Sequence, residues 1–255
     1  MTKILKPVLY FLRERGFFSV VYLDDFLLIA HTHNQCVKNV SATTNLLSSL
    51  GFIINKRKSV LTPTRSVKFL GFIFDTKHFA VSIPDARRDK LLQMTLSFLD
   101  IKHCKIRLFA NYIGSLVSVC PAVQYGLLHT KILEREKFLN LTAAGGNFDV
   151  QMSLPSSIRK DLLWWQTVFA DKLQRNYIRS GRFDLEVFTD ASLTGWGAVC
   201  GEARTHGFWS PEEKLYHINY LELIAVYHAL RCFASLSKNC DILLRGGQFH
   251  GSLLY

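Results

Sequence analysis

Tyr22-Leu23-Asp24-Asp25 stands between two apolar runs, Phe17-Phe18-Ser19-Val20-Val21 and Phe26-Leu27-Leu28-Ile29-Ala30. Each run has the length of a strand and is rich in aromatic and branched residues. An apolar run, two adjacent acids and a second apolar run together describe a β-hairpin with the acids at its tip. Neighbouring carboxylates repel each other unless water or a cation relieves them. Hard divalent ions such as Mg²⁺ take oxygen ligands and keep part of their shell for substrate phosphates. A rigid hairpin that offers two carboxylates is therefore half of a site for two-metal phosphoryl transfer. The plain alternative is a polar turn, since Asp is a common turn residue; the flanking strands and the preceding Tyr22 weigh against it.

The segment resembles the catalytic hairpin of reverse transcriptases, which carries a Tyr-x-Asp-Asp box, and the resemblance continues in order along the chain. Asn34 to Leu50 reads as an amphipathic helix with Val37, Val40, Leu47 and Leu50 on one face and Gly51 as its stop. Gly51 to Lys58 reads as a short strand ending in a basic cluster. By resemblance it is the next polymerase motif, with Lys58 near the incoming nucleotide; unaided, such a cluster is a solvated loop. Val67 to Phe74, a polar turn at Asp75 to His78, and Phe79 to Ile83 read as a second hairpin. By resemblance it is the primer grip, whose Phe69-Leu70-Gly71 turns backbone against the primer end; unaided, it is an ordinary core hairpin. The resemblance thus implies Asp24 and Asp25 as catalytic metal ligands, and Tyr22, Lys58, Phe69, Leu70 and Gly71 as nucleotide and nucleic-acid contacts.

From Pro84 onward the pattern becomes helical. Asp85 to Leu99 opens with Pro and Asp, a helix start. Ile106 to Val119 is apolar at helical spacing and stops at Pro121, and a third helix spans about Ala122 to Leu141. Ala143 to Asn147 is a break, and Ser156 to Leu173 is a further helix carrying Trp164-Trp165, which read as core aromatics. The block resembles the thumb and connecting helices of a retroelement polymerase. Arg175 to Arg182 reads as a basic linker.

A different pattern follows. Leu185 to Ser192 is a strand ending in an acid, Gly195 to Cys200 a second strand and Ala203 to Ser210 a third. Asn219 to Leu236 is a helix with Tyr220, Leu223, Ile224, Tyr227, Leu230 and Ala234 at helical spacing, and Cys240 to Arg245 is a fourth strand. Phe188-Thr189-Asp190-Ala191-Ser192, Gly195-Trp196-Gly197-Ala198, Trp209-Ser210 and His217-Ile218-Asn219-Tyr220-Leu221-Glu222-Leu223 together resemble an RNase H domain. There Asp190 and Glu222 would be two of the three acids that hold Mg²⁺ for hydrolysis of the RNA strand of a hybrid. Taken singly, Asp190 is a strand-end turn residue and Glu222 a solvated helix residue. The wording is most similar to retroelements of the DIRS type, with Ty3-like elements next.

The fold expected is α+β: a partial reverse-transcriptase palm over 1–83, a helical thumb and connection over 84–174, a linker over 175–184 and a truncated RNase H-like α/β domain over 185–255. The family pattern supplies a third polymerase carboxylate upstream of Thr2, and an Asp-Asn soon after the strand that ends at Arg245. Neither stands in this sequence, so both sites are expected to be incomplete; Asp241 precedes that strand. Hydrophobic residues make up 49% of the chain, which argues for packed cores and against disorder. A net charge of +11 suits a polyanion. The partners implied are RNA and DNA, as primed template or RNA–DNA hybrid, and the cofactor is Mg²⁺ or Mn²⁺. Six cysteines without Cys-x-x-Cys spacing indicate neither a zinc site nor a disulfide framework and fit free thiols in a reducing compartment. No apolar run approaches the roughly 20 residues that span a membrane, and the expectation is an intracellular protein, cytoplasmic or nuclear. Two functions compete: an RNA-directed DNA polymerase and RNase H fragment, and a catalytically dead nucleic-acid-binding remnant.

Overall fold

Leu5, Val8 and Leu12 recur at helical spacing and are buried along one face of α1 (Thr2–Glu14). The chain is described here by a computed structural model for residues 2–178, 181–236, 240–246 and 253–254. It divides into two units, Met1–Ile178 and Arg179–Tyr255. In the first, α1 packs with Phe17, Val21, Phe26 and Leu47 over a two-stranded antiparallel sheet of β1 (Phe18–Tyr22) and β2 (Asp25–Ile29). The register pairs Phe18 with Ile29 and Tyr22 with Asp25, leaving Leu23 and Asp24 as a two-residue turn.

α2 (His33–Ser49) starts at Thr32, whose side chain accepts from the Gln35 N–H, and stops before Gly51, where φ is +84°. Its buried face corrects the sequence reading. Val37 and Leu50 are exposed, whereas Asn39, Thr43 and Leu47 are buried. The reason is what α2 covers. Asn39 Nδ2 donates to the carbonyls of Phe18 (2.9 Å) and Ile29 (3.3 Å), and its Oδ1 accepts from Thr43 Oγ1 (3.1 Å). A helix lying on strand ends meets backbone oxygens, and an amide there satisfies groups that an apolar side chain would strand.

The strand expected over Gly51 to Lys58 is absent. The Phe52 N–H bonds back to Leu47, Lys56 to Ile54 and Lys58 to Asn55, so the segment closes local turns and Ile53 points into solvent. The second apolar segment is a meander of β3 (Ser66–Phe69), β4 (Phe72–Asp75) and β5 (Ala80–Ser82). It breaks at Leu70-Gly71, where φ is +48° and +79°, the pattern of a type I′ hairpin turn.

α3 (Asp85–Asp100), β6 (His103–Lys105), α4 (Ile106–Val117), α5 (Lys131–Ala143), β7 (Gln151–Ser153) and α6 (Arg159–Ala170) follow. Phe98, Phe109, Tyr112, Leu116, Trp165 and Phe169 form the centre of their core, with Trp164 packed at its edge. The helix expected from Ala122 begins only at Lys131. Tyr125 lies at φ +62°, outside the helical region, so the chain turns there; a Cβ on the next residue, Gly126, would stand 3.0 Å from Cys120 Sγ and 3.1 Å from Trp165, so glycine fits the turn. Part of the expected linker is structured: β8 (Asn176–Tyr177) adds to β5 and completes a four-stranded sheet.

The second unit is a mixed sheet in the order β11-β10-β9-β12-β13, built from β9 (Leu185–Ala191), β10 (Gly195–Cys200), β11 (Ala203–Phe208), β12 (Ile242–Gly246) and β13 (Leu253–Leu254). β9, β10 and β11 are an antiparallel meander, and β12 joins β9 in parallel. α7 (Ile218–Cys232) packs on the sheet. The face it buries is Leu221, Ala225 and Ala229, while Tyr220, Leu223 and Tyr227 are exposed. Alanine lets helix and sheet approach closely, so Ala225 and Ala229 turn inward beside Leu221; of the residues the spacing suggested, Ile224 and Leu230 pack at the edge of the core, and Tyr220, Leu223 and Tyr227 do not. All six cysteines are free.

Asn39→Ala removes the donor from two strand carbonyls and is expected to lower stability by about 1–3 kcal/mol, whereas Thr43→Val, which frees only one acceptor lone pair, loses about 1 kcal/mol or less. Urea unfolding followed by circular dichroism measures both, and an unchanged midpoint for Asn39→Ala refutes the role given to the amide.

Candidate active-site carboxylates

Tyr22 closes β1 and Asp25 opens β2 directly opposite it, with Asp24 in the turn between them. All three side chains and Leu23 are exposed. Leu23 has φ +54° and Asp24 does not share the positive value, the φ pattern of a II′ turn, where glycine is the usual first residue. The tip is held from below: Asn39 ties the two strand ends, and Arg13 Nη2 donates to the Ser19 carbonyl (2.9 Å). The acids thus stand at the solvent end of a short, braced ribbon, where a cation and a phosphate could both reach them.

Lys58 is exposed in a turn, its N–H shared between the backbone and side-chain oxygens of Asn55. Phe69 is buried at the end of β3 opposite Phe72, and the Leu70 side chain is exposed on the turn. This turn lies in a different sheet from the Asp24-Asp25 hairpin. Sequence reasoning missed the group that holds it. Arg87, in the first turn of α3, donates through Nη1 to the Gly71 carbonyl (3.2 Å) and through Nη2 to Ser118 Oγ (2.9 Å). No local signal marks Arg87, because both its acceptors come from other elements.

In the second unit, Asp190 lies near the end of β9, paired with Gly197, and is exposed. Glu222, in the second turn of α7, is only 3% exposed. Burial pushes its carboxyl above the usual carboxylate range, and the nearby Asp190 charge pushes it further. The α7 helix therefore brings Glu222 near Asp190, 32 positions away in sequence, so that the charge of an exposed acid acts on a buried one. Trp209 braces the neighbouring loop, its Nε1 donating to the Ser192 carbonyl (2.8 Å).

Among the described residues no three His, Cys, Asp or Glu side chains are grouped to share a metal ion. The donors at both places are carboxylate oxygens, the kind a hard divalent ion takes. A buried carboxylate raised by a second carboxylate is also the electrostatic situation that a cation relieves. Each pair fits part of such an ion's shell.

Comparison with known proteins places the fold. The family model described as Reverse transcriptase (RNA-dependent DNA polymerase) matches residues 1–74. The structure of the foamy viral protease-reverse transcriptase in complex with RNA/DNA hybrid is similar at a TM-score of 0.56 and 16% identity, over 94% of this chain and 31% of that one. Its complexes with double-stranded DNA give 0.54 at 16% identity over 94% and 40%, and 0.54 at 17% identity over 96% and 49%. The chain thus spans 31% to 49% of the solved chains it resembles. No curated protein matches it. The protein is a mixed α+β chain with a reverse-transcriptase-like fold. No helix among the described residues is long and apolar enough to cross a membrane.

Because the folded-state pKa of Glu222 lies above 4.5, the folded protein binds more protons than the unfolded one between that value and the raised one. Stability is therefore expected to fall as pH rises through this window. Glu222→Gln should flatten that fall and raise the melting temperature of the second unit at neutral pH, read by calorimetry; a variant as pH-sensitive as the parent would show that Glu222 is not the strained group.

Proposed function

We propose that this chain is part of a retroelement Pol protein, an RNA-directed DNA polymerase joined to a ribonuclease H, most like DIRS-type elements and next most like Ty3-like ones. The single observation that carries the reading is the braced hairpin with Asp24 and Asp25 at its tip, inside the residues matched by the reverse-transcriptase family. In this reading residues 1–83 are palm, 84–174 thumb and connection, 175–184 linker, and 185–255 an RNase H-like domain working inside the cell, in cytoplasm or nucleus.

Asp24 and Asp25 would hold Mg²⁺ or Mn²⁺ in the first unit, and Asp190 with Glu222 in the second. When bound, such an ion activates the attacking oxygen and stabilises charge on the phosphoryl group. The residues themselves orient. Tyr22 and Lys58 flank the nucleotide, Lys58 as a point charge for phosphate. The turn Phe69-Leu70-Gly71 presents backbone to the primer end. Glu222, held in place by burial, would be the fixed donor and exposed Asp190 the mobile one if a cation bound there. The substrate is primed template or RNA–DNA hybrid; a foamy viral relative of this fold has been solved with such a hybrid. A net charge of +11 supports a phosphate-tracking surface.

The absence of a third acid at either pair among the described residues favours a second reading for the chain by itself: a nucleic-acid-binding remnant without turnover. Two-metal chemistry needs both ions in register, and each tenfold in rate corresponds to about 1.4 kcal/mol, so a lost ligand removes orders of magnitude.

Both readings require binding to a DNA primer on an RNA template that weakens steeply with salt, by roughly a thousandfold between about 50 and 200 mM for about six phosphate contacts; salt-independent binding overturns them together. With Mg²⁺ or Mn²⁺ the purified 255-residue chain is expected neither to extend the primer nor to cut a hybrid detectably. Extension abolished by Asp24→Asn with Asp25→Asn, or cleavage abolished by Asp190→Asn, would establish the enzyme and overturn the remnant.

A further inference from the structure

The turn Leu70-Gly71 is an unfavourable sequence for the conformation it holds. A type I′ turn needs positive φ at both central residues and selects Asn, Asp or Gly for them. Here the first is Leu70, at φ +48°, whose branched side chain crowds the backbone in the left-handed region and which is exposed, so burial does not compensate. Something else must over-determine the turn.

Arg87 does so. Its guanidinium crosses from α3 to the turn, donates from Nη1 to the Gly71 carbonyl (3.2 Å), and lies over the Phe72 ring with Cζ 5.5 Å from the centroid. Its other nitrogen, Nη2, donates to Ser118 Oγ (2.9 Å) and to the Ser118 carbonyl (3.4 Å) at the C-terminal end of α4, where helix carbonyls lack partners of their own. One planar fork thus spans a hairpin turn and the end of a helix, which an ammonium group cannot do in the same geometry. A Cβ on Gly71 would come within 3.0 Å of Nη1, so the glycine also leaves room for the fork.

We propose that Arg87 is a positioning residue: it sets the Phe69-Leu70-Gly71 turn against α4, and so fixes where the turn meets a recessed primer end. The assignment rests on the reading of that turn as a primer contact. Arg87 touches no substrate in this account and acts through the Gly71 carbonyl.

The test compares two probes on the full chain, a DNA primer recessed on an RNA template and a blunt hybrid of equal length. The variants are Leu70→Asp, Arg87→Ala, Arg87→Lys and Ser118→Ala. Wild type should prefer the recessed end. Arg87→Ala should reduce that preference about tenfold, the scale of one hydrogen bond from a charged group; Leu70→Asp, which places a negative charge on the turn where primer phosphate would lie, should also reduce it, and the double variant should lose no more than Leu70→Asp alone if Arg87 acts only through the turn. Arg87→Lys keeps the charge and should stay reduced; Ser118→Ala should fall between. Amide hydrogen exchange across Phe69–Phe72 should quicken in Arg87→Ala while the core of α4 remains protected. A wild type without preference removes the primer reading itself. Leu70→Asp losing the preference while Arg87→Ala keeps it, or Arg87→Ala weakening both probes equally with exchange unchanged at the turn, overturns the assignment of Arg87 alone.

Discussion

One buried amide carries the geometry of the first unit. A two-stranded hairpin is marginal in water by itself, yet the β1–β2 ribbon must stand still if two acids at its tip are to be of use. Asn39 makes it stand by bonding both strand ends at once from a helix seated in the same core. The bond directions fix the ribbon along α2, the apolar residues of α1 fix its depth, and Leu23 and Asp24 are left to close the end. In the second unit the equivalent constraint is steric: Ala225 and Ala229 bring α7 down onto the sheet, and that depth is what buries Glu222 beside Asp190.

What the sequence disclosed, and what it hid, divides along the same line. Patterns that depend on neighbours in the chain were legible. The β1–β2 hairpin followed from two apolar runs around a polar pair, α3 from Pro84-Asp85, and the β9–β10–β11 meander from its turn spacing. The approach of Asp190 and Glu222 was legible only as a joint pattern over the whole unit. Features decided across space were not. The inward faces of α2 and α7 were misjudged because hydrophobic spacing favours Val37 and Tyr220, whereas the sites they cover require an amide in one case and a methyl in the other. The apolar run Phe52-Ile53-Ile54 has the composition of a strand, but among the described residues no strand pairs with it, and Lys58 lies in a turn. Tyr125 at positive φ and Gly126, where Cys120 and Trp165 leave no room for a Cβ, interrupt an otherwise helical pattern. Arg87 carried no signal at all.

The turns share a further property. Leu23, Leu70, Phe79 and Tyr125 all hold positive φ, and all four side chains are exposed. A left-handed residue that is neither glycine nor asparagine stores roughly 1–2 kcal/mol of strain, and exposed apolar surface offers nothing in return. For anyone seeking a sturdier version of this chain the four are unequal opportunities. Phe79 lies in the β4–β5 turn, where its carbonyl accepts from the Ile178 N–H; glycine or asparagine there keeps that carbonyl and releases the strain. The same exchange at Leu23 or Leu70 would release as much, but it would replace side chains on the two tips on which the proposed chemistry rests. Thermal hardening of this protein therefore has a natural order, beginning at Phe79, to which no role is assigned, and stopping before the acids and the glycine that Arg87 clasps.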